Sequence, residues 1–401
     1  MEKHKKVPVL RFPEFKGEWE VKKIGSITER VSNPVEVEED TLYQQIGIRS
    51  HGKGIFHKEL VDGKSLGNKR VFWVQKDVFI VNIVFAWEQA VAKTSSREVG
   101  MVASHRFPMY SPLANKSDLN YLLYFFLTKK GKTLLELASP GGAGRNKTLG
   151  QKAFEHLGFL IPVLSEQTKI ANFFTSIFDK IEALKHKKSL LEQYKQGVMQ
   201  KIFSQELRFK DDNNRPFPKW EKKRLSEVLS LPEKIKPNVV DRDRLLTVKL
   251  HLKGIFRNEN TDNLSLGATY YIRKKGQFIY GKQNLFNGAF AIIPNKFDGY
   301  LSSGDVPALD INYDKVDSKY LFYFLGREGF YKKLEEISSG SGSKRIHEKI
   351  LLNVEIHLPK LSEQIIIANF ISSLDKKIEQ CTSQLDKTEQ YKKGLFQKMF
   401  C

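Results

Sequence analysis

The sequence predicts an α+β protein built of two similar α+β domains, each followed by a long helix, with an approximate twofold relation between the halves. Three observations carry this. The stretch 164–203, LSEQTKIANFFTSIFDKIEALKHKKSLLEQYKQGVMQKIF, matches 361–400, LSEQIIIANFISSLDKKIEQCTSQLDKTEQYKKGLFQKMF, at 20 of 40 positions without a gap, at a constant offset of 197. Both stretches have helical periodicity. The segments ahead of them repeat more loosely and mix strand-like with helix-like runs. A repeat of this size is far beyond the roughly 20–50-residue period of a solenoid. The chain therefore divides into a first domain at 1–163, a helix at 164–203, a second domain at 204–360 and a second helix at 361–401.

Within the domains, WEVKKIGSI (19–27) pairs with WEKKRLSEV (220–228), HGKGIF (51–56) with HLKGIF (251–256), and SLG (65–67) with SLG (265–267). Short apolar runs at 78–84, 277–280 and 289–293 read as strands. NYLLYFF (120–126) matches KYLFYFL (319–325), and the runs 119–130 and 318–327 around them read as helices. A glycine-rich stretch follows in each copy, SPGGAGRNKT (139–148) and SSGSGSKRIH (338–347). Each domain then ends on an apolar strand before a proline, GFLIP and EIHLP. The domains diverge while the helices stay alike, as expected of two heads on one scaffold that read different things.

In the first long helix Ile170, Phe174, Ile177, Ile181, Leu184, Leu191, Val198 and Ile202 fall on a 4-3-4-3 ladder broken by Lys188 and Lys195. In the second, Ile367, Ile371, Leu374, Ile378, Cys381, Leu385, Leu395 and Met399 do so, broken by Thr388 and Lys392. So narrow a stripe predicts a coiled-coil seam rather than a broad face on a globular core. At 1.5 Å per residue each helix would run roughly 57 Å, and its stripe needs a partner. The other repeat supplies one, and twofold-related helices pack antiparallel. Ser165 and Ser362 are expected N-caps, each followed by a glutamate at the positive helix end. Gly197 and Gly394 mark either a frayed end or a close backbone approach.

Lys and Arg number 66 against 46 Asp and Glu, a net charge of +20. Either a polyanionic partner, nucleic acid first, or a generally lysine-rich source composition produces such a balance. The helical windows 166–203 and 363–400 carry only +3 and +1, so +16 lies outside them, almost all of it in the heads. The candidate contact loops are 49–53, 64–70, 145–147, 253–257, 273–275 and 344–345. Within them Arg49, His51, Lys53, Arg145, Lys147, His251, Lys253, Arg273, Lys344 and Arg345 are the candidate nucleic-acid-binding residues. The glycine-rich loops at 139–148 and 338–347 can cradle phosphate oxygens on backbone N–H groups, or be flexible loops with solvated charge. Most aromatic residues fall at core spacing rather than on a base-stacking platform.

The only cysteines are Cys381 and Cys401, too few for a disulfide framework or a zinc site. The first residues show no secretory apolar region, and no run approaches 18 apolar residues. A cytoplasmic protein away from membranes is the expectation. Gly63-Lys64-Ser65 and Gly131-Lys132-Thr133 lack the glycine that a phosphate-binding loop needs five residues earlier. Asn33-Pro34-Val35 stops short of a methyltransferase tetrapeptide, and Glu14-Phe15-Lys16 lacks the upstream aspartate of a nuclease. A basic, two-headed chain without a catalytic constellation reads as an adaptor. A coiled-coil structural protein, whose charge would concentrate on the helices, and a stand-alone DNA nuclease are the rivals.

The doubled proline-then-Leu-Ser-Glu-Gln start, Ile161-Pro162-Val163-Leu164-Ser165-Glu166-Gln167 and Leu358-Pro359-Lys360-Leu361-Ser362-Glu363-Gln364, resembles the DNA-specificity subunits of Type I restriction–modification systems. The Glu-Gln-Tyr-Lys segments at 192–195 and 389–392 agree, and the resemblance covers essentially the whole chain. It implies target-recognition domains that each read one half of a bipartite, asymmetric site on double-stranded DNA, with the helices as an antiparallel spacer. It further implies two DNA adenine methyltransferase subunits bringing S-adenosylmethionine, and restriction subunits bringing ATP-driven translocation and magnesium-dependent cleavage. The chain itself would bind none of these cofactors and catalyse nothing.

Overall fold

The computed structural model describes residues 7–67, 69–141, 147–259, 268–340 and 343–401. The chain folds into two compact units. One comprises Met1–Lys187 with Cys381–Cys401, the other Lys188–Gln380. The long helices, Leu164–Phe203 and Leu361–Met399, each begin in one unit and end in the other. Every unit is therefore built from both halves of the sequence.

In the first unit an antiparallel sheet runs in the order Thr28–Val31, Met109–Pro112, Phe79–Val81, Val91–Lys93. In the second the order Leu229–Ser230, Ala308–Ile311, Phe278–Tyr280, Phe290–Ile292 repeats it. The strand before the proline pairs in each case with the strand after the Trp, Glu20–Lys23 with Gly158–Ile161 and Glu221–Arg224 with Glu355–Leu358. Two observed helices, Leu119–Leu127 and Ser318–Leu325, match the expected ones, each capped by an aspartate, Asp118 or Asp317. The run 119–130 is not one helix, however. Thr128 adopts an extended conformation, and its hydroxyl accepts the Gly131 N–H at 3.0 Å to start a second helix, Lys129–Leu137. Gly131 permits the sharp turn, because a Cβ there would lie 2.2 Å from the Phe125 carbonyl oxygen.

The helical stripe does more than form a seam. In the first unit Ile170, Phe174, Ile177 and Ile181 share one buried core with Trp19, Tyr121, Phe125 and, from the far end of the other helix, Leu395, Met399 and Phe400. In the second, Ile367 and Ile371 share a core with Trp220, Tyr320, Phe324 and Ile202 and Phe203. The expectation of a narrow seam alone thus needs correction, since the first turns of each helix belong to a globular core. Farther along, Leu184 and Leu374 stay buried, while Ile378 and Leu385 are only half-buried. Cys381 Sγ lies 3.4 Å from the Leu184 carbonyl oxygen, and both cysteines are free thiols.

The polar breaks in the ladders have partners. Lys195 Nζ reaches Asp375 Oδ1 at 2.5 Å, and Lys392 Nζ lies 4.5 Å from the centre of the Phe178 ring. Two further expectations fail. Ser165 and Ser362 lie inside the first helical turn rather than capping it, because the helices begin at Leu164 and Leu361. Gly197 and Gly394 neither fray nor meet another backbone: both are helical, with open space where a Cβ would stand.

The meaning of the Leu-Ser-Glu-Gln start emerges from its contacts. Glu166 is fully buried and receives both Nε and Nη2 of Arg11 at 2.7 Å. Glu363 receives Arg208 in the same way, at 2.7 and 2.9 Å. Gln167 donates to the carbonyls of Pro162 and Lys116 and accepts from the Asp118 N–H. Gln364 does the same with Pro359, Lys315 and Asp317. Each glutamine thus staples the start of its long helix to the capped start of a domain helix. The arm bearing each arginine also packs alike: Phe12 meets Phe173 edge-on, and Phe209 meets Phe370. The Leu207 N–H bonds the Lys201 carbonyl at 3.0 Å, and the Leu10 N–H bonds the Lys398 carbonyl at 2.9 Å. The repeat at offset 197 therefore extends to Leu10-Arg11-Phe12 and Leu207-Arg208-Phe209, near the start of each domain.

Candidate nucleic-acid interface

In the first unit strands Leu42–Ile48 and Ile55–Asp62 form a hairpin whose tip carries Arg49, His51 and Lys53, all exposed. His51 has φ 60°, which lets the tip double back. The N–H groups of His51 and Gly52 then donate to the carbonyls of Glu88 and Gln89 at 2.7 and 3.0 Å. Ser50 adds a hydroxyl bond to Glu88 Oε2 at 2.9 Å. The tip is thereby fixed on the single helical turn Ala86–Glu88. Lys147 meets the same turn, its Nζ 5.6 Å from the Trp87 ring centre. The fold thus gathers Arg49, His51, Lys53 and Lys147 around one turn. Arg145 lies outside the described residues, as does the repeated segment 265–267.

The second unit repeats the platform. Leu246–Lys249 and Gly254–Arg257 form the hairpin, with His251 and Lys253 exposed at its tip and His251 at φ 58°. The His251 and Leu252 N–H groups donate to Asn287 and Gly288, both at 2.9 Å, on the turn Leu285–Asn287. The glycine-rich loop joins the other end of that segment, where the Ile346 N–H donates to the Lys282 carbonyl. Lys344 and Arg345 stand on this loop but are already paired, with Glu335 at 2.7 Å and Asp305 at 3.3 Å. Lys53 and Lys253 have no ion pair among the described residues, which leaves their charge available to a phosphate.

Arg273 does not belong to the surface set. It is 5% exposed, its Nε donates to Ser302 Oγ at 2.6 Å, and its Nη2 faces the carbonyls of Ser303 and Val306. Burial pushes its guanidinium pKa down to about 10. It ties the strand Tyr270–Ile272 to Leu301–Ser303. Its position beside two lysines made it look like a contact loop, and nothing local in the sequence marks the burial.

Two cation–ring pairs on the hairpins escaped the sequence reading. The Arg49 guanidinium carbon stands 4.8 Å from the Phe56 ring centre, and Lys249 Nζ stands 4.1 Å from that of Phe256. The shared spacing, a cation seven residues before a phenylalanine in both copies, was the available signal. Among the described residues no group of three or more His, Cys, Asp or Glu side chains could hold a metal ion, and no helix is long and apolar enough to cross a membrane.

Comparison with known proteins bears on this geometry. A relative from Methanocaldococcus jannaschii, the Type I restriction enzyme MjaVIII specificity subunit, is 25% identical, with 98% of this chain and 94% of the relative covered. A second protein of that organism, the putative Type I restriction enzyme MjaX specificity subunit, is 22% identical over 98% of this chain and 95% of its own length. The HsdS subunit of Thermoanaerobacter tengcongensis has a similar fold at a TM-score of 0.51 and 14% identity, covering 95% of this chain and 96% of that one. The Type I restriction–modification S subunit of M. genitalium does so at 0.58 and 13%, covering 98% and 99%. The sequence profile of the Type I restriction modification DNA specificity domain matches residues 16–193 and again 218–389. With two tandem copies of that domain on a duplicated scaffold, the chain belongs to the Type I restriction–modification DNA-specificity family and is a recognition subunit rather than a catalytic one.

Proposed function

We propose that each unit reads one half of a bipartite, asymmetric DNA target through its hairpin platform, and that the two long helices set the spacing of the half-sites. The observation that carries this reading is the doubled platform: the same tip, held by the same two backbone hydrogen bonds on the same kind of turn, with Lys53 or Lys253 exposed and without an ion pair among the described residues. Lysine at a phosphate supplies affinity, while base-edge contacts from neighbouring side chains discriminate by about 1–3 kcal/mol per good pair. The domains are 1–163 and 204–360, with 164–203 and 361–401 as the spacer. The recognition residues are Arg49, His51, Lys53, Lys147, His251, Lys253, Lys344 and Arg345, and the subunit works in the cytoplasm.

Two adenine methyltransferase subunits dock on the scaffold, one for each unit, since each unit begins a long helix from the same Leu-Ser-Glu-Gln start. They bring S-adenosylmethionine. Restriction subunits add ATP and magnesium chemistry. Mapping adenine methylation in cells with and without this chain tests the reading. A two-part motif lost on deletion is expected, and unchanged methylation would overturn it. Replacing His251 and Lys253 together should alter one half of the motif and leave the other half intact.

A further inference from the structure

The two units differ sharply at one place, where the end of one long helix passes the tyrosine of the capped domain helix. In the first unit this place is filled with rings. Phe178 stacks on Tyr124 with centroids 5.0 Å apart, and Phe396 stacks on Phe174 at 4.6 Å. In the second unit the offset of 197 puts Asp375 where Phe178 stands and Met199 where Phe396 stands. Asp375 is occupied, accepting from Tyr323 Oη at 2.7 Å and from Lys195. What remains is an open groove of about 950 Å³, with Met199, Phe203, Phe322 and Phe330 among its walls.

One charge in that groove has no counter-ion. Glu192 has Lys188 within 4.0 Å, Lys195 has Asp375, and Glu328 has Lys332. Arg327 has none among the described residues. Its guanidinium carbon stands 4.7, 4.2 and 5.5 Å from the rings of Phe203, Phe324 and Phe330, and its Nε donates to the Phe324 carbonyl at 2.9 Å. The first unit has Thr128 at the corresponding position. A half-buried cation among rings is held by their negative faces, yet it keeps an unmet demand for an anion.

We propose that this groove of the second unit is a docking site for a peptide segment of a partner protein, one that presents aromatic or large aliphatic side chains beside a carboxylate. The rings and Met199 take the apolar side chains, and Arg327 takes the carboxylate. The first unit, its space filled by rings and with Thr128 in place of Arg327, has no such site among the described residues. The scaffold is thus handed: a partner segment engages one unit and not the other, although the helices are otherwise alike.

The test uses the full chain and two labelled probe peptides with the same Phe-Leu-Phe core, flanked in one by aspartates and in the other by lysines. A third peptide keeps the aspartates and has glycine in place of the core. Fluorescence polarisation should show the acidic aromatic peptide binding at least tenfold tighter than either control. Arg327→Gln should abolish the preference for acid, and Met199→Phe, which restores the ring of the first unit, should weaken binding at least tenfold. Circular dichroism and thermal melting verify the fold of each variant separately. The overall charge of +20 would attract any acidic peptide, but that attraction would be blind to both substitutions. Binding unaffected by Arg327→Gln and by Met199→Phe, or equal binding of acidic peptides with and without the core, would overturn the proposal. So would tighter binding of indole-3-acetate than of the peptide, which would make the groove a small-molecule site.

Discussion

Arg208 grips Glu363 through two parallel hydrogen bonds of 2.7 and 2.9 Å, on a carboxylate with no exposed surface, and the Trp220 indole N–H adds a third at 3.2 Å. Arg11 and Glu166 repeat the pair, but there the Trp19 indole nitrogen has no partner among the described residues. Removing one partner of a buried pair strands the other charge, at a cost of about 3–5 kcal/mol. Glu363→Ala and Glu166→Ala should both lower the midpoint of thermal unfolding. The loss should be larger for Glu363, which anchors an extra donor. Differential scanning calorimetry of the two variants checks the order.

Arg273 and Lys253 should separate folding from binding. Arg273→Ala removes the donor to the buried Ser302 hydroxyl oxygen, while the Ser303 and Val306 carbonyls keep the Val306 N–H and the Ser302 hydroxyl, for a stability loss of about 1–3 kcal/mol. Lys253→Ala should leave the melt unchanged and lower the salt dependence of DNA binding by about one unit of slope. Denaturant titration and a salt series of gel shifts, run on both variants, distinguish the two outcomes.

Acid should break the His57–Glu98 pair, whose atoms lie 3.0 Å apart, only below the ordinary carboxylate range. Burial pushes the Glu98 carboxyl up, but hydrogen bonds from His57 and Ser95 outweigh it and hold the pKa below the ordinary 4.5. A carboxyl whose pKa is depressed by folding contributes stability that is fully present above its unfolded pKa and is lost as pH falls through the folded value. Stability of the wild type should therefore fall more steeply than that of Glu98→Gln as pH drops below 4.5. The two curves should run parallel near neutrality. Urea midpoints measured across pH 3 to 7, roughly the carboxylate range and beyond, provide the check.

Gly52 and Leu127 form a size-matched contact that the second unit makes in reverse. A Cβ on Gly52 would lie 2.3 Å from Leu127 Cδ2, and one on Gly326 would lie 3.2 Å from Leu252 Cδ1. Gly52 also sits at φ 65°. Gly52→Ala should destabilise the first unit by more than the roughly 1 kcal/mol of left-handed backbone cost, because the methyl also meets Leu127. Adding Leu127→Ala should recover the steric part and leave the backbone part. A double-mutant cycle on unfolding free energy reads the coupling.

The sequence made some features legible for simple reasons. Gapless repetition at offset 197 exposed both long helices, and the matching runs NYLLYFF and KYLFYFL marked the domain helices, whose aspartate caps the structure added. The extension of the repeat to Leu10-Arg11-Phe12 was equally present, but three residues are too few to stand out until Arg11 is seen on Glu166. The stripe of Ile170, Phe174 and Ile177 has the same spacing whether it faces a helix or a core, so periodicity alone could not tell which. Arg273 and Lys274 look alike as letters, and only the fold buries one of them.

By itself, then, the sequence determined the duplication, the two helices, their antiparallel partnership and the basic heads, because these rest on local propensity and on direct repetition. Tertiary structure alone decided that each unit draws on both halves of the chain, that the Glu of each helix start is an anchor for an arginine, and which cations remain free. The arginine anchors join residues 155 positions apart, and no local pattern encodes which distant side chain will fill a given space or neutralise a given charge.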